Sequence, residues 1–263
     1  MLNTGLNDIP LSMTRFFIIT FLVLTLFSCN NNSKVETPIT KPVENITATK
    51  DQQDRRTNSE NFCKAHNIPV YANPTALFVD PEDKVTIRTL DEVVDRALAL
   101  CYIGLKSEGL EQEHLDKMNK DFNISSKLSP LETAYARSKQ PTEQQKIDAN
   151  WRYESLHVML WALGFIDSLS YPDQMCNVAN DVKIIHDSSE ELFRQKAKFR
   201  SKKEILDQAD LILRLDWACV NARLKNQPAP GHLDKGVVFE RHHSLNWLIN
   251  YLNQDWDNVT TDT

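Results

Sequence analysis

The sequence predicts an all-α fold: a single multi-helix domain with at most a few short strands, preceded by a disordered tether. Three observations carry this prediction. Ser or Thr followed three residues later by Glu or Gln recurs at Thr89/Glu92, Ser129/Glu132, Thr142/Gln145, Ser188/Glu191 and Ser201/Glu204, each ahead of an apolar run. That spacing lets a hydroxyl and a side-chain acceptor satisfy amides which the first helical turn leaves unpaired. Glycine is scarce, with six residues in 263. The apolar residues recur at helical spacing, and no strand–turn alternation is visible.

The chain opens with Arg15, an apolar run Phe16–Phe27, and the junction Leu26-Phe27-Ser28-Cys29 followed by Asn30-Asn31-Asn32-Ser33. A basic residue, a short apolar core and a polar cut make the layout of a bacterial secretion signal. Cys29 after Leu-x-Ser resembles the lipobox of bacterial lipoproteins, which implies that Cys29 is lipidated and becomes the new N-terminus. A membrane span needs about 20 apolar residues, and this run stops short. Residues 1–28 are thus expected to be a lipoprotein signal peptide, with Met13 competing with Met1 as its start. Asn30 in place of Asp after Cys29 favours sorting to the outer membrane, on the periplasmic side.

Residues 29–60 are expected to form a flexible tether. Asn30 to Glu60 has no aromatic residue and is rich in Asn, Thr, Lys, Pro and Gln. Such a composition buries too little apolar surface to offset the entropy of ordering. Residues 61–263 are one domain's worth of chain, large enough for a core of its own.

Helices are expected over Leu90–Lys106, Glu111–Phe122, Pro130–Ser138, Thr142–Leu163, Val178–His186, Ser189–Phe199, Lys202–Lys225 and Gly236–Leu252. The fourth ends at Gly164, which suits a left-handed cap. Lys202–Lys225 is apolar on most faces (Ile205, Leu206, Ala209, Ile212, Leu213, Leu215), as expected of the central buried helix. The extended candidates are Ile68–Tyr71, Ala76–Val79 and Lys84–Ile87.

Net charge is −6 with no basic stripe, which argues against nucleic acid as a partner. Beyond Cys29, the cysteines Cys63, Cys101, Cys176 and Cys219 form no CxxC. In an exported protein they allow two disulfides, with three connectivities; buried free thiols are the alternative.

Charges set into apolar stripes are the candidates for a site. Glu154 shares a helical face with Trp151, Val158 and Trp161. Arg214 lies between Asp210 and Trp217, with Asp207 two turns back. Arg241 interrupts Val238, Leu245 and Leu248, and Glu240, His242 and His243 crowd the same turn. A charge removed from water without a partner costs several kcal/mol, so such residues are normally paired. Glu154, Asp210, Arg214 and Arg241 are expected either to share a network that fixes helix register or to line a pocket for a polar ligand. No HExxH, HxH or Cys/His finger spacing is present, and no metal or cofactor is expected. GxSxG, P-loop and dinucleotide fingerprints are absent too.

Several motifs together are similar to a bacterial family, the domain of unknown function 4272. They are Asp95-Arg96-Ala97-Leu98-Ala99-Leu100, Trp151-Arg152-Tyr153-Glu154 with Trp161-Ala162-Leu163-Gly164, and Glu204-Ile205-Leu206-Asp207 through Arg214 and Trp217. Glu240-Arg241-His242 with Leu245-Asn246-Trp247, then Asp255-Trp256-Asp257 and Thr260-Thr261-Asp262-Thr263, complete the likeness. It extends over roughly Arg55–Thr263 and implies a helical fold with no established activity.

Two functions are weighed on these grounds. One is a non-catalytic binding or accessory protein, of immunity type for example, anchored in the membrane through Cys29 and engaging a protein partner. The other is a hydrolase acting on a small polar substrate. In it Glu154 or Glu240 serves as general base, Arg152, Arg214 and Arg241 (with Asp210 beside Arg214) hold the ligand, and His242 acts as acid or base.

Overall fold

The computed structural model describes residues 45–263. The expected signal peptide and Cys29 lie outside them. Nine α-helices form among the described residues: α1 (Lys50–Ala65), α2 (Leu90–Ser107), α3 (Gln112–Phe122), α4 (Pro130–Arg137), α5 (Glu143–Ala162), α6 (Val178–His186), α7 (Glu190–Lys196), α8 (Lys202–Leu224) and α9 (Lys235–Leu248). Short 3-10 turns follow α3, precede α9 and close the chain. No strand is present among the described residues, as the low glycine content and the capping boxes require.

Packing runs in sequence through α2 on α5, α5 on α9, α9 on α8 and α8 on α1, with α3, α4, α6 and α7 around this row. The expected central helix, α8, is indeed largely buried. The more enclosed one is α9, in which every residue from Val237 to Leu248 except Phe239 is buried. Buried charge is shared among three helices of the row: Glu154 on α5, Asp210, Arg214 and Asp216 on α8, and Glu240 and Arg241 on α9.

The capping expectations hold at Thr89, Ser129, Thr142 and Ser201, where the hydroxyl accepts the N3 amide and the N3 side chain answers. In α7 the cap is Ser189 rather than Ser188, with its Oγ accepting the Leu192 amide at 3.2 Å. Gly164 takes φ +76° after α5, and a Cβ there would lie 2.6 Å from the Lys198 carbonyl oxygen. A side chain cannot fit that turn.

Three boundaries differ from expectation by more than one residue. Helix α7 stops at Lys196, ahead of the expected Phe199, because the next residues join α5: Lys198 N–H donates to the Leu163 carbonyl at 2.8 Å and Arg200 N–H to the Ala162 carbonyl at 2.9 Å. Helix α9 stops at Leu248 rather than Leu252. Asn250 turns left-handed, and Arg88 occupies the freed carbonyls of Trp247 and Leu248. The third is the tether boundary at residue 60: the folded part begins earlier, with α1 at Lys50.

Helix α1 escaped the composition argument because its buried stripe is mostly polar: Gln52, Arg55 and Ser59, with Cys63 the one apolar member. These side chains are buried because they complete a loop. Gln52 Nε2 donates to the Val79 carbonyl at 2.8 Å, Arg55 Nη2 to that of Asp80 at 3.0 Å, and Arg56 to those of Tyr71, Asn73 and Ala76. Carbonyls in Ile68–Tyr71 and Ala76–Val79, which a sheet would have satisfied, are thus satisfied by a helix. That is why two of the extended candidates form no ladder.

Cys63, Cys101, Cys176 and Cys219 are all free, so the alternative to disulfides is what the fold adopts. Burial pushes the thiols of Cys63, Cys101 and Cys219 up to about 11, about 12 and about 12. They stay protonated and pack as small apolar groups.

Candidate functional site

The charged candidates come together at the α5/α9/α8 interfaces, as separate pairs. Glu154 lies one helical turn from Trp151 and Val158 on the face that α5 turns towards α9. Arg241 Nε meets Glu154 Oε2 at 3.1 Å, and the two side chains are 2% and 0% exposed. Glu154 Oε1 accepts the Cys176 amide, and Arg241 Nη1 donates to the Ser170 carbonyl at 2.5 Å. Each member of the pair therefore also holds the connection between α5 and α6.

Beside it, Arg152 Nη1 lies 2.9 Å from Glu240 Oε2, which also accepts from Ser155 Oγ at 2.9 Å. Burial pushes the Glu240 carboxyl above its ordinary range, and the nearby Glu154 charge adds to this, while Arg152 and Ser155 pull the other way. Trp256 covers this group: Arg152 sits 5.8 Å and Arg96 4.8 Å from its ring.

The expected single network of Glu154, Asp210, Arg214 and Arg241 is not what forms. Arg214 folds back along α8 to grip Asp210 with Nε at 3.0 Å and Nη2 at 2.8 Å, and Nη2 also donates to the Leu77 carbonyl at 3.1 Å. The physical reason is helical spacing: Asp210 one turn back is already in reach of a planar fork. Asp207 takes the solvent side and pairs with Lys203 at 2.6 Å. His242 Nδ1 lies 2.8 Å from Asp216 Oδ2, with His242 1% exposed.

Arg241 also reaches a cavity of about 250 Å³ whose wall includes Phe62, His66 and Tyr171. The His66 ring stacks on each of the other two, 4.2 Å from Phe62 and 4.8 Å from Tyr171, which are 6.1 Å from each other. A larger cavity, about 590 Å³, lies near Thr49, Gln52, Lys84, Asn246 and Tyr251, and none of the charged candidates lines it.

Two buried groupings escaped the sequence reading. Arg96 pairs with Glu132, whose carboxylate also takes the Ser129 amide at 2.9 Å; a residue read as a helix cap holds a second charge as well. His157, Cys176 and Asp181 converge where α5 meets α6, with their potential ligand atoms all within 4.8 Å of one another. Their separations in sequence match no metal motif. A signal was nevertheless present: His157 lies one turn beyond Glu154, on the side of α5 that packs against the connection carrying Cys176.

No curated protein and no solved structure matches the chain. A family model does: Domain of unknown function (DUF4272), over residues 55–259. That span runs from the first helix through the closing Trp256 turn and includes every charged pair described above, so the chain belongs to the DUF4272 family.

Proposed function

We propose that this chain is a non-catalytic binding protein of accessory or immunity type, anchored through a lipid on Cys29 at the periplasmic side of the outer membrane and engaging a protein partner. The observation that supports it is the state of the residues a hydrolase would need. Glu154 faces Arg241, Glu240 faces Arg152, and His242 faces Asp216, each within 3.1 Å. Glu154 and His242 are 0% and 1% exposed. A general base must be within reach of a substrate proton, and these groups are spent on one another. Buried pairs of this kind fix how helices dock, a role that serves a rigid recognition body.

Two measurements test the reading. Metabolic palmitate labelling of wild type against Cys29→Ser addresses the anchor, and equal labelling of the two would remove it. For the activity, the full chain is assayed against ester, phosphate, amide and glycoside substrates, while crosslinking in membranes quantifies a partner. The expected result is no turnover above background and a stoichiometric protein partner. Turnover that collapses in His242→Gln or Glu240→Gln would reinstate the hydrolase, and recovery of no partner at any salt concentration would count against binding.

A further inference from the structure

Helix α6 begins at Val178, with Asn177 as its cap: the Asn177 side chain accepts the Asn180 amide at 3.1 Å. Cys176 and Asp181 bracket this start, one just ahead of the cap and one in the first turn. Helix α5 packs against α6 and presents His157 to both. Three ligand-bearing side chains from two elements are thus gathered around one point.

Their bonding is incomplete. His157 Nδ1 lies 2.8 Å from Asp181 Oδ2, while Asp181 Oδ1 is buried and has no hydrogen-bond partner. Asp181 itself is 0% exposed. A fully buried carboxylate oxygen without a donor forfeits its hydration and gains nothing in exchange. Cys176 Sγ lies 3.5 Å from the Tyr153 carbonyl oxygen, with the Glu154 and Asp181 carboxylates also beside it.

We propose that His157, Cys176 and Asp181 bind one divalent cation of the zinc class, which clips the connection between α5 and α6 to the body of the protein. Imidazole, thiolate and carboxylate are each ordinary zinc ligands, and three of them leave one position of a tetrahedral ion for water. The soft sulfur excludes magnesium and calcium, which prefer oxygen. Charge also balances: a thiolate and a carboxylate neutralise a divalent ion, so the loaded site buries no net charge.

The ligand atoms lie within 4.8 Å of one another, so a modest contraction brings all of them within bonding reach of a single ion. Without a cation, burial and the Glu154 and Asp181 carboxylates push the Cys176 thiol far up and keep it protonated. A bound cation reverses that balance and releases the thiol proton to solvent as the metal–sulfur bond forms. The backbone is held ready, because the Cys176 amide is fixed by Glu154 Oε1. The clip does not depend on the partner-binding reading; either can fail while the other stands.

The test uses the full chain in detergent. Metal content is measured on protein purified without chelator, and cobalt(II) is titrated into chelator-stripped protein while the thiolate-to-cobalt absorption is followed. The expected result is one ion per chain, a thiolate band that zinc abolishes by displacement, and loss of that band in Cys176→Ser. Affinity should fall at least tenfold in Asp181→Asn, since even outer-shell partners are worth roughly 10- to 100-fold. Cys219→Ser should retain the band. No cobalt–thiolate band in wild type, or a band unchanged in Cys176→Ser, would overturn the proposal and leave a plain His157–Asp181 pair. Should Cys176→Ser fail to fold by circular dichroism, Asp181→Asn and His157→Gln decide: cobalt affinity equal to wild type in both overturns the site.

Discussion

Glu154 and Arg241, 87 positions apart, meet at 3.1 Å in the interface between α5 and α9 with neither side chain more than 2% exposed. The pair has already met the cost of leaving water, and its attraction is what offsets that cost. Removing one member strands the other. Arg241→Met and Glu154→Gln should each cost about 3–5 kcal/mol, whereas Glu154→Leu with Arg241→Met should cost much less. Denaturant melts measure this directly. Single variants within about 0.5 kcal/mol of wild type would mean that the pair is wet and structurally idle.

Helix α8 contains its own control. Arg214–Asp210 and Lys203–Asp207 are both pairs at i, i+4, at 2.8 and 2.6 Å. The first is 2% and 1% exposed and the second 66% and 34%. Arg214→Met should cost several kcal/mol, because Asp210 loses its partner and the Leu77 carbonyl its donor. Lys203→Met should fall within about 0.5 kcal/mol of wild type. Equal effects at the two positions would contradict the burial argument.

The helical class and most helix starts were legible because caps and apolar periods are local properties. Thr89, Ser129, Thr142 and Ser201 act within four residues of where they stand. Helix α1 was not legible, since Gln52 and Arg55 are buried only because a loop 25 or more residues away presents carbonyls to them. The candidate charges were recognisable by their apolar neighbours, yet their pairing was not. Arg214 had one acid a turn away and chose it, while Arg241 found Glu154 on another helix. Asp181 and Cys176 sit in polar, unremarkable sequence, and only the docking of α6 on α5 brings them to His157.

Gly104 shows how closely α2 and α5 approach. A Cβ at this position would lie 2.5 Å from the ring of Tyr153, which is completely buried. In an open helix, Gly→Ala would gain about 1 kcal/mol through propensity. Here the ring has nowhere to go, and overpacking of this kind costs about 1–3 kcal/mol. Gly104→Ala should therefore destabilise, and a higher melting temperature in that variant would show that the interface yields.

His243 makes stability depend on pH. It is 8% exposed, its ring stands edge-on to Trp256 at 4.6 Å, and its Nδ1 has no hydrogen-bond partner. Burial, with the Arg152 charge adding to it, lowers its pKa from 6.5 to about 3. The folded protein then keeps the ring neutral while the unfolded chain takes up a proton below pH 6.5. The stabilising contribution is complete above 6.5 and is lost as the pH falls towards 3. The slope from this one group is about 1.4 kcal/mol per pH unit. Between pH 6 and pH 5 exposed carboxylates titrate little, but the unfolded chain's other histidines take up protons there too. The effect, of about that order, is therefore read from urea melts as a difference between wild type and a variant. Buried Glu240, whose carboxyl is raised, works in the opposite sense, so the comparison must be with a His243→Gln variant that retains Glu240. Wild type should lose stability faster than the variant as the pH falls. Parallel curves would mean that His243 is protonated in the folded protein and that the Trp256 cap admits water.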